Sequence, residues 1–169
     1  MYKSILVPLD GSATADSGLR EAIGLASALK AKLVLLHVLD DLSMVLETSS
    51  VAGYERILDR LRCRGQEILN KARMAAAESG VEAETCLREV SLARIAGVVV
   101  DEAVAQSCDL IVMGTHGRHG FSRLTMGSNA ESVVRSSPVP ALLVRQEEAA
   151  WVPSSVPQDR AHGKPQYAR

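Results

Sequence analysis

The segment Gly114-Thr-His-Gly117-Arg118-His-Gly120-Phe-Ser-Arg123-Leu-Thr-Met-Gly127-Ser128-Asn129 gathers groups suited to holding a phosphate. It begins where the apolar run Leu110 to Met113 ends and finishes where helical spacing begins. Such a junction presents backbone N–H groups at the positive end of a helix dipole, and these attract anions. Glycines at 114, 117, 120 and 127 let the backbone come close to the anion, whereas an isolated glycine pair would signal only a turn. The Ser128 hydroxyl adds a hydrogen bond, and Arg118 or Arg123 adds charge. No Gly-Lys-Ser/Thr follows, so this is not a Walker A loop. A dinucleotide fingerprint would follow the first strand rather than the fourth.

Other groups offer less. His116 and His119 have a metal-compatible spacing but no neighbouring cysteine or carboxylate, so no metal site is assigned. Ser128 has no evident base, no Ser-His-Asp set is identifiable, and no catalytic residue is assigned. His37 lies inside a buried run and reads as a hydrogen-bonded core residue. The Asp10-Gly11-Ser12 turn lacks the Ser-Gly-Gly-x-Asp-Ser loop of ATP pyrophosphatases. Cys63, Cys86 and Cys108 form no C-x-x-C pair and read as reduced packing residues of a cytoplasmic protein.

The elements that must position the loop follow from periodicity. Ile5 to Leu9 is a short strand ending at the Asp10-Gly11-Ser12 turn. Helical spacing from Ala13 to Ala31 leads into a strand over Lys32 to Leu39, then a less regular stretch from Asp40 to Gly53, a loop or partly ordered excursion. A long helix spans Tyr54 to Ser79 and stops at Gly80. Val81 to Arg88 alternates, with Val81, Ala83, Thr85 and Leu87 opposite Glu82, Glu84, Cys86 and Arg88. A helix from an N-cap at Ser91 to Gln106 precedes a strand at Asp109 to Met113. Ser128 to Arg135 is a short helix and Val139 to Arg145 a last strand.

This alternation predicts an α/β fold, a parallel sheet with helices on both faces. The first, second and fourth strands are apolar throughout, as central strands are. The alternating third strand fits one edge. The fifth fits the other, blunted by Pro138 and Pro140 yet too apolar to stay bare, so a second copy of the chain is expected to cover it. Where the chain reverses direction between the first and fourth strands, a crevice opens at their carboxyl ends. Pro8, Leu9 and Asp10 line one wall, and Met113 with the glycine loop the other. Asp10 either accepts hydrogen bonds from a sugar or base or simply forms the turn, and Val38 offers apolar surface to a flat base.

The pattern Gly114-x2-Gly117-x9-Gly127-Ser128 resembles the signature of the ATP-binding universal stress proteins. The Ile5 to Asp10 opening, Leu35 to Val38, Asp109 to Gly114 and Ser137 to Pro140 resemble the same family in the same order. The resemblance implies a five-stranded, Rossmann-like three-layer sandwich of the adenine-nucleotide hydrolase type, strand order 3-2-1-4-5, and homodimers pairing through the strand at 139–145. It implies ATP, often with Mg²⁺ or Mn²⁺ across its phosphates. The adenosine side then falls on Pro8, Asp10, Val38 and Met113. The phosphate side falls on Gly114, Gly117, Gly127, Ser128 and the backbone amide of Asn129, where the family usually has Val. A nucleotide-dependent stress-response or signalling module with an unnamed partner is expected; the alternative is a slow ATPase or phosphotransferase at the same site.

Bulk properties agree with one domain. The chain has 169 residues, 47% hydrophobic, 23% charged and 3% aromatic, enough for a single aliphatic core. A net charge of −1 gives no field to recruit nucleic acid or an anionic membrane. Its longest apolar runs fall far short of the roughly 20 residues of a membrane span. No signal peptide is expected before the first strand. The domain is placed at residues 1–146. Pro153, Pro157 and Pro165 among Ser, Gln and charges mark 147–169 as a flexible tail, with Trp151 its one apolar anchor.

Overall fold

A computed structural model describes residues 1–40, 51–90, 94–115 and 126–145. The elements run β1 (Ser4–Pro8), α1 (Ala13–Leu29), β2 (Lys32–Asp40), α2 (Val51–Glu78), β3 (Ala83–Val90), α3 (Ile95–Ala105), β4 (Leu110–Gly114), α4 (Ser128–Ser136) and β5 (Ala141–Val144). The five strands form one parallel sheet of order β3-β2-β1-β4-β5, as expected. Residues 91–93, including the expected N-cap Ser91, lie outside the described residues. The residue before α3 is Arg94, which makes no side-chain cap bond. The long helix starts at Val51, earlier than its apolar spacing showed, and Gly80 ends it at φ +69°.

Two apolar layers sandwich the sheet. On one face Ile5, Val7, Leu33, Leu35, Leu110 and Val112 pack under α1 and α2. On the other, Leu6, Val34, Leu36, Ile111 and Met113 pack under α3 and α4. Alternate residues of each central strand thus enter opposite cores, which is why β1, β2 and β4 read as unbroken apolar runs. Full burial of such a side chain contributes about 1.5–3 kcal/mol. The register of β1 against β4 is fastened at its start. Asp109 accepts hydrogen bonds from the backbone N–H groups of Lys3 (2.8 Å) and Ser4 (3.2 Å), and its own N–H donates to the Ser4 carbonyl at 2.9 Å.

The edge strand β3 departs from simple alternation. Thr85, grouped by alternation with Val81, Ala83 and Leu87, is exposed, while Cys86 on the opposite face is buried. Cys86 joins the apolar cluster under α3 and lies against Glu102 of that helix, itself 5% exposed. Its carboxylate accepts from Arg88 Nε (2.7 Å) and Nη2 (2.9 Å), from Gln106 Nε2 (2.8 Å) and from the Cys86 thiol (3.2 Å). The arrangement ties the edge strand to α3 and leaves no lone charge in the core. Burial, with the carboxylate beside it, pushes the Cys86 thiol up to about 11, and burial raises Cys108 as well. Both fit the packing role expected of them, but Cys63 is exposed on α2 and packs against no core.

Burial alone would raise the Glu102 carboxyl, but hydrogen bonds from Gln106, Arg88 and Cys86 outweigh it and hold the group below the ordinary carboxylate range. A group depressed in the folded chain stabilises fully above its unfolded value of roughly 4.3, and that stabilisation is lost as pH falls through the folded value. Glu102→Gln is therefore expected to lower stability by about 2 kcal/mol near pH 7, since Arg88 is half-exposed and can rehydrate. The loss should shrink as pH falls below about 4, because the wild type then surrenders the same interaction. Urea unfolding at several pH values reads both effects; a deficit independent of pH would contradict the assignment.

Candidate functional site

In this strand order β1 lies between β2 and β4, so connections leave it in opposite directions and a crevice forms at the carboxyl ends. The β1–β2 register pairs Pro8 with Leu36, and Leu9 N–H extends the ladder to the Leu36 carbonyl at 2.8 Å. The β1–β4 register pairs Leu6 with Ile111, which places Met113 level with Pro8. Pro8, Asp10, Val38, Met113 and Gly114 therefore meet at one edge of the sheet. Val38 and Met113 share the apolar cluster on the α3/α4 face.

The turn after β1 is rigidly specified. Gly11 has φ +80°, a conformation that favours glycine, and the Asp10 carboxylate accepts from Ser12 N–H at 2.9 Å. Asp10 thus forms the turn, and it has further interactions besides. The Ser12 hydroxyl caps α1 by accepting from Ala15 N–H at 3.2 Å. Leu9 is 4% exposed and its side chain belongs to the core under α1 and α2. Its contribution to the crevice wall is backbone alone.

The side expected to take phosphate is built differently. Gly127 N–H donates to the Thr115 carbonyl at 2.8 Å, and Thr115 N–H donates to Val144 at 2.9 Å. These bonds fasten the start of α4 to the ends of β4 and β5. The N-cap of α4 is Gly127, with extended backbone at φ −62° and ψ 144°, so the cap position brings no side-chain acceptor to the first-turn N–H groups. Ser128 and Asn129 stand exposed in that first turn. Where α1 is closed by its own serine, α4 presents an anion-seeking end at the edge of the crevice. Gly117 and Arg118, with His116, His119 and Arg123, lie outside the described residues.

Gly114 does a job that the phosphate reading missed. A methyl group at Gly114 would fall 2.8 Å from Thr14 Cγ2 and 2.9 Å from the Thr14 carbonyl carbon and oxygen. At Gly18 a methyl group would fall 3.2 Å from Gly114 N and 3.3 Å from the Met113 carbonyl carbon. Helix α1 and the end of β4 thus meet backbone to backbone. The sequence signal was available: Gly18 interrupts a helical run where glycine costs about 1 kcal/mol relative to alanine. Ser12, the cap of α1, was likewise read only as part of a turn.

The universal stress protein family model matches residues 1–145. The chain belongs to the universal stress protein family. It is 34% identical over 146 residues to universal stress protein MJ0531 of Methanocaldococcus jannaschii, covering 86% of this chain and 84% of that one. It is also similar to the solved universal stress protein UspA of Lactobacillus plantarum, with TM-score 0.74, 26% identity, and coverage of 85% of this chain and 98% of that one. Two more distant structures share the fold. One universal stress protein is in complex with cAMP (22% identity, TM-score 0.62, coverage 86% and 98%), and one from Archaeoglobus fulgidus is in complex with dAMP (23%, 0.63, coverage 85% and 98%). In this universal stress protein no helix among the described residues is long and apolar enough to cross a membrane.

Gly114→Ala tests the packing role. The clash is mainly with Thr14 backbone, which cannot rotate away, so a loss of about 1–3 kcal/mol is expected in urea unfolding. Combining it with Thr14→Ser, which removes only Cγ2, should recover little of that loss. Full recovery would place the clash in the side chain instead.

Proposed function

We propose that this universal stress protein is a cytoplasmic, dimeric ATP-binding module acting in stress response or signalling. The carrying observation is that the hydrogen-bonded Asp10-Gly11-Ser12 turn and the glycine-capped N-terminus of α4 follow the carboxyl ends of the adjacent strands β1 and β4, at the switch point. The adenosine end lies against Pro8, Asp10, Val38 and Met113. The phosphates lie against Gly127, Ser128 and the Asn129 amide, with Gly117 and Arg118 as further partners. A Mg²⁺ or Mn²⁺ ion would travel with the phosphates and screen their charge. The complexes of two fold relatives with cAMP and dAMP support an adenine nucleotide as the ligand class. Binding is preferred to hydrolysis because Asp10, the carboxylate that follows β1 at the crevice, already serves its own turn.

Titration calorimetry with ATP, AMP and GTP tests the reading. Gly127→Val has an accessible backbone conformation but sets a branched side chain at the anion end, so ATP affinity should fall at least tenfold with little change in thermal unfolding. Unchanged affinity, or no wild-type binding at millimolar ATP, would refute the site. Turnover that Gly127→Val abolishes would replace the binder with an ATPase.

The dimer rests on β5. Its four residues, Ala141 to Val144, are all apolar and only partly covered, and Leu142 is 36% exposed. Among the described residues β5 pairs only with β4, leaving one strand edge open to a second copy. A two-fold axis would pair the two β5 strands antiparallel. Leu142→Asp is expected to convert dimer to monomer in light scattering at micromolar concentration, without loss of helical circular dichroism. A wild-type monomer under those conditions would sink the dimer.

A further inference from the structure

His37 is 2% exposed in β2, beneath the crevice rather than in it. Its Nδ1 is hydrogen-bonded to the Leu9 carbonyl. A carbonyl can only accept, so Nδ1 must carry the proton. Leu9 N–H is meanwhile bonded to the Leu36 carbonyl, so adjacent residues of β2 hold both backbone groups of Leu9. The Leu9 carbonyl and the Asp10 N–H belong to one planar peptide unit. Fixing the carbonyl direction therefore fixes the direction of the Asp10 N–H and the Cα from which the Asp10 carboxylate departs. From there the bond to Ser12 N–H completes the turn.

The imidazole is held from behind by Gly65 of α2. A methyl group at Gly65 would fall 2.7 Å from His37 Cδ2 and 2.8 Å from Leu87 Cδ1. Glycine inside a 28-residue helix costs helix propensity, and here it admits the ring against the helix backbone. The same helix is fixed to β3 through Arg62, whose Nε and Nη2 donate to Glu89 at 2.6 and 2.7 Å.

We propose that His37 is a positioning residue for the nucleoside end of the site: its Nδ1–H, seated by Gly65, aims the Leu9–Asp10 peptide and so sets Asp10 toward the ligand. The proposal deepens the nucleotide-binding reading and rests on it. A group that acts through Asp10 should affect the nucleoside end and spare the phosphate end, which α4 builds separately. His37→Asn keeps a donor near the δ position, His37→Leu removes it, and Gly65→Ala displaces the ring without touching it chemically.

The test measures AMP and inorganic tripolyphosphate affinities of the wild type and the three variants. In His37→Leu, AMP affinity should fall about tenfold and tripolyphosphate affinity by less than about twofold. His37→Asn should recover AMP affinity to within about threefold, and Gly65→Ala should follow His37→Leu. Equal losses for both ligands with no rescue, or unaltered AMP affinity in a folded His37→Leu, would overturn the proposal. A readout without ligand separates it from the function reading. Long-range ¹H–¹⁵N spectra of the wild type should show Nδ1 protonated, and Asp10 to Ser12 amides should exchange faster in His37→Leu than in His37→Asn. A neutral Nε2–H tautomer, or unchanged exchange, would overturn the proposal whatever binds. A wild type that shows the expected tautomer and exchange but no AMP affinity would instead overturn the nucleotide reading and, with it, the ligand-aiming role of His37.

Discussion

Helix α1 lies close enough to the end of β4 that side chains are excluded between them, and the geometry of the crevice depends on that contact. Gly18 and Gly114 face one another with Thr14 alongside. With β1 feeding α1 in one direction and β4 feeding α4 in the other, this approach sets the distance between the two walls. Asp109 fixes the same pair of strands at their opposite end through the Lys3 and Ser4 amides. The central strand pair is thus located at both ends by polar and steric constraints, while apolar layers on each face supply the bulk of the stabilisation.

The fold was legible because hydrophobic pattern reports burial directly. Unbroken runs at Ile5 to Leu9, Lys32 to Leu39 and Leu110 to Met113 could only be strands covered on both sides. The edges were less legible. Cys86 is buried in β3 against Glu102, which is distant in sequence and also pairs with Arg88, and a pattern of period two cannot show such a partner. At α3 the residue before the first helical position is Arg94, which caps nothing with its side chain, and the expected cap Ser91 lies outside the described residues.

That Pro8, Asp10, Val38 and Met113 lie at one end of the sheet was legible in the sequence, and what each does there was less so. Glycine spacing marks a phosphate loop in sequence, but spacing alone does not separate a glycine that admits a ligand from one that admits a helix. Gly114 meets Thr14, whereas Gly127 caps α4 and leaves the first turn without a side-chain acceptor from that position. His37 reads in sequence as a core residue, and it is one. Its bond to the Leu9 carbonyl, one residue before Asp10, appears only in the structure.

The division of labour between the two helix ends follows from their caps. Ser12 satisfies an α1 amide internally, so the β1 turn can be stiff and shaped without attracting an anion at that end. Gly127 does the reverse at α4. On the proposed nucleotide-binding reading, a phosphate would go to the α4 side of the crevice and a neutral nucleoside to the largely apolar β1 side. It also follows that the glycine signature mixes two kinds of constraint. Conservative change at Gly114 strains the meeting of α1 with β4 and hence the fold itself. On the proposed reading, change at Gly127 would act first on the end of α4 that takes the phosphates.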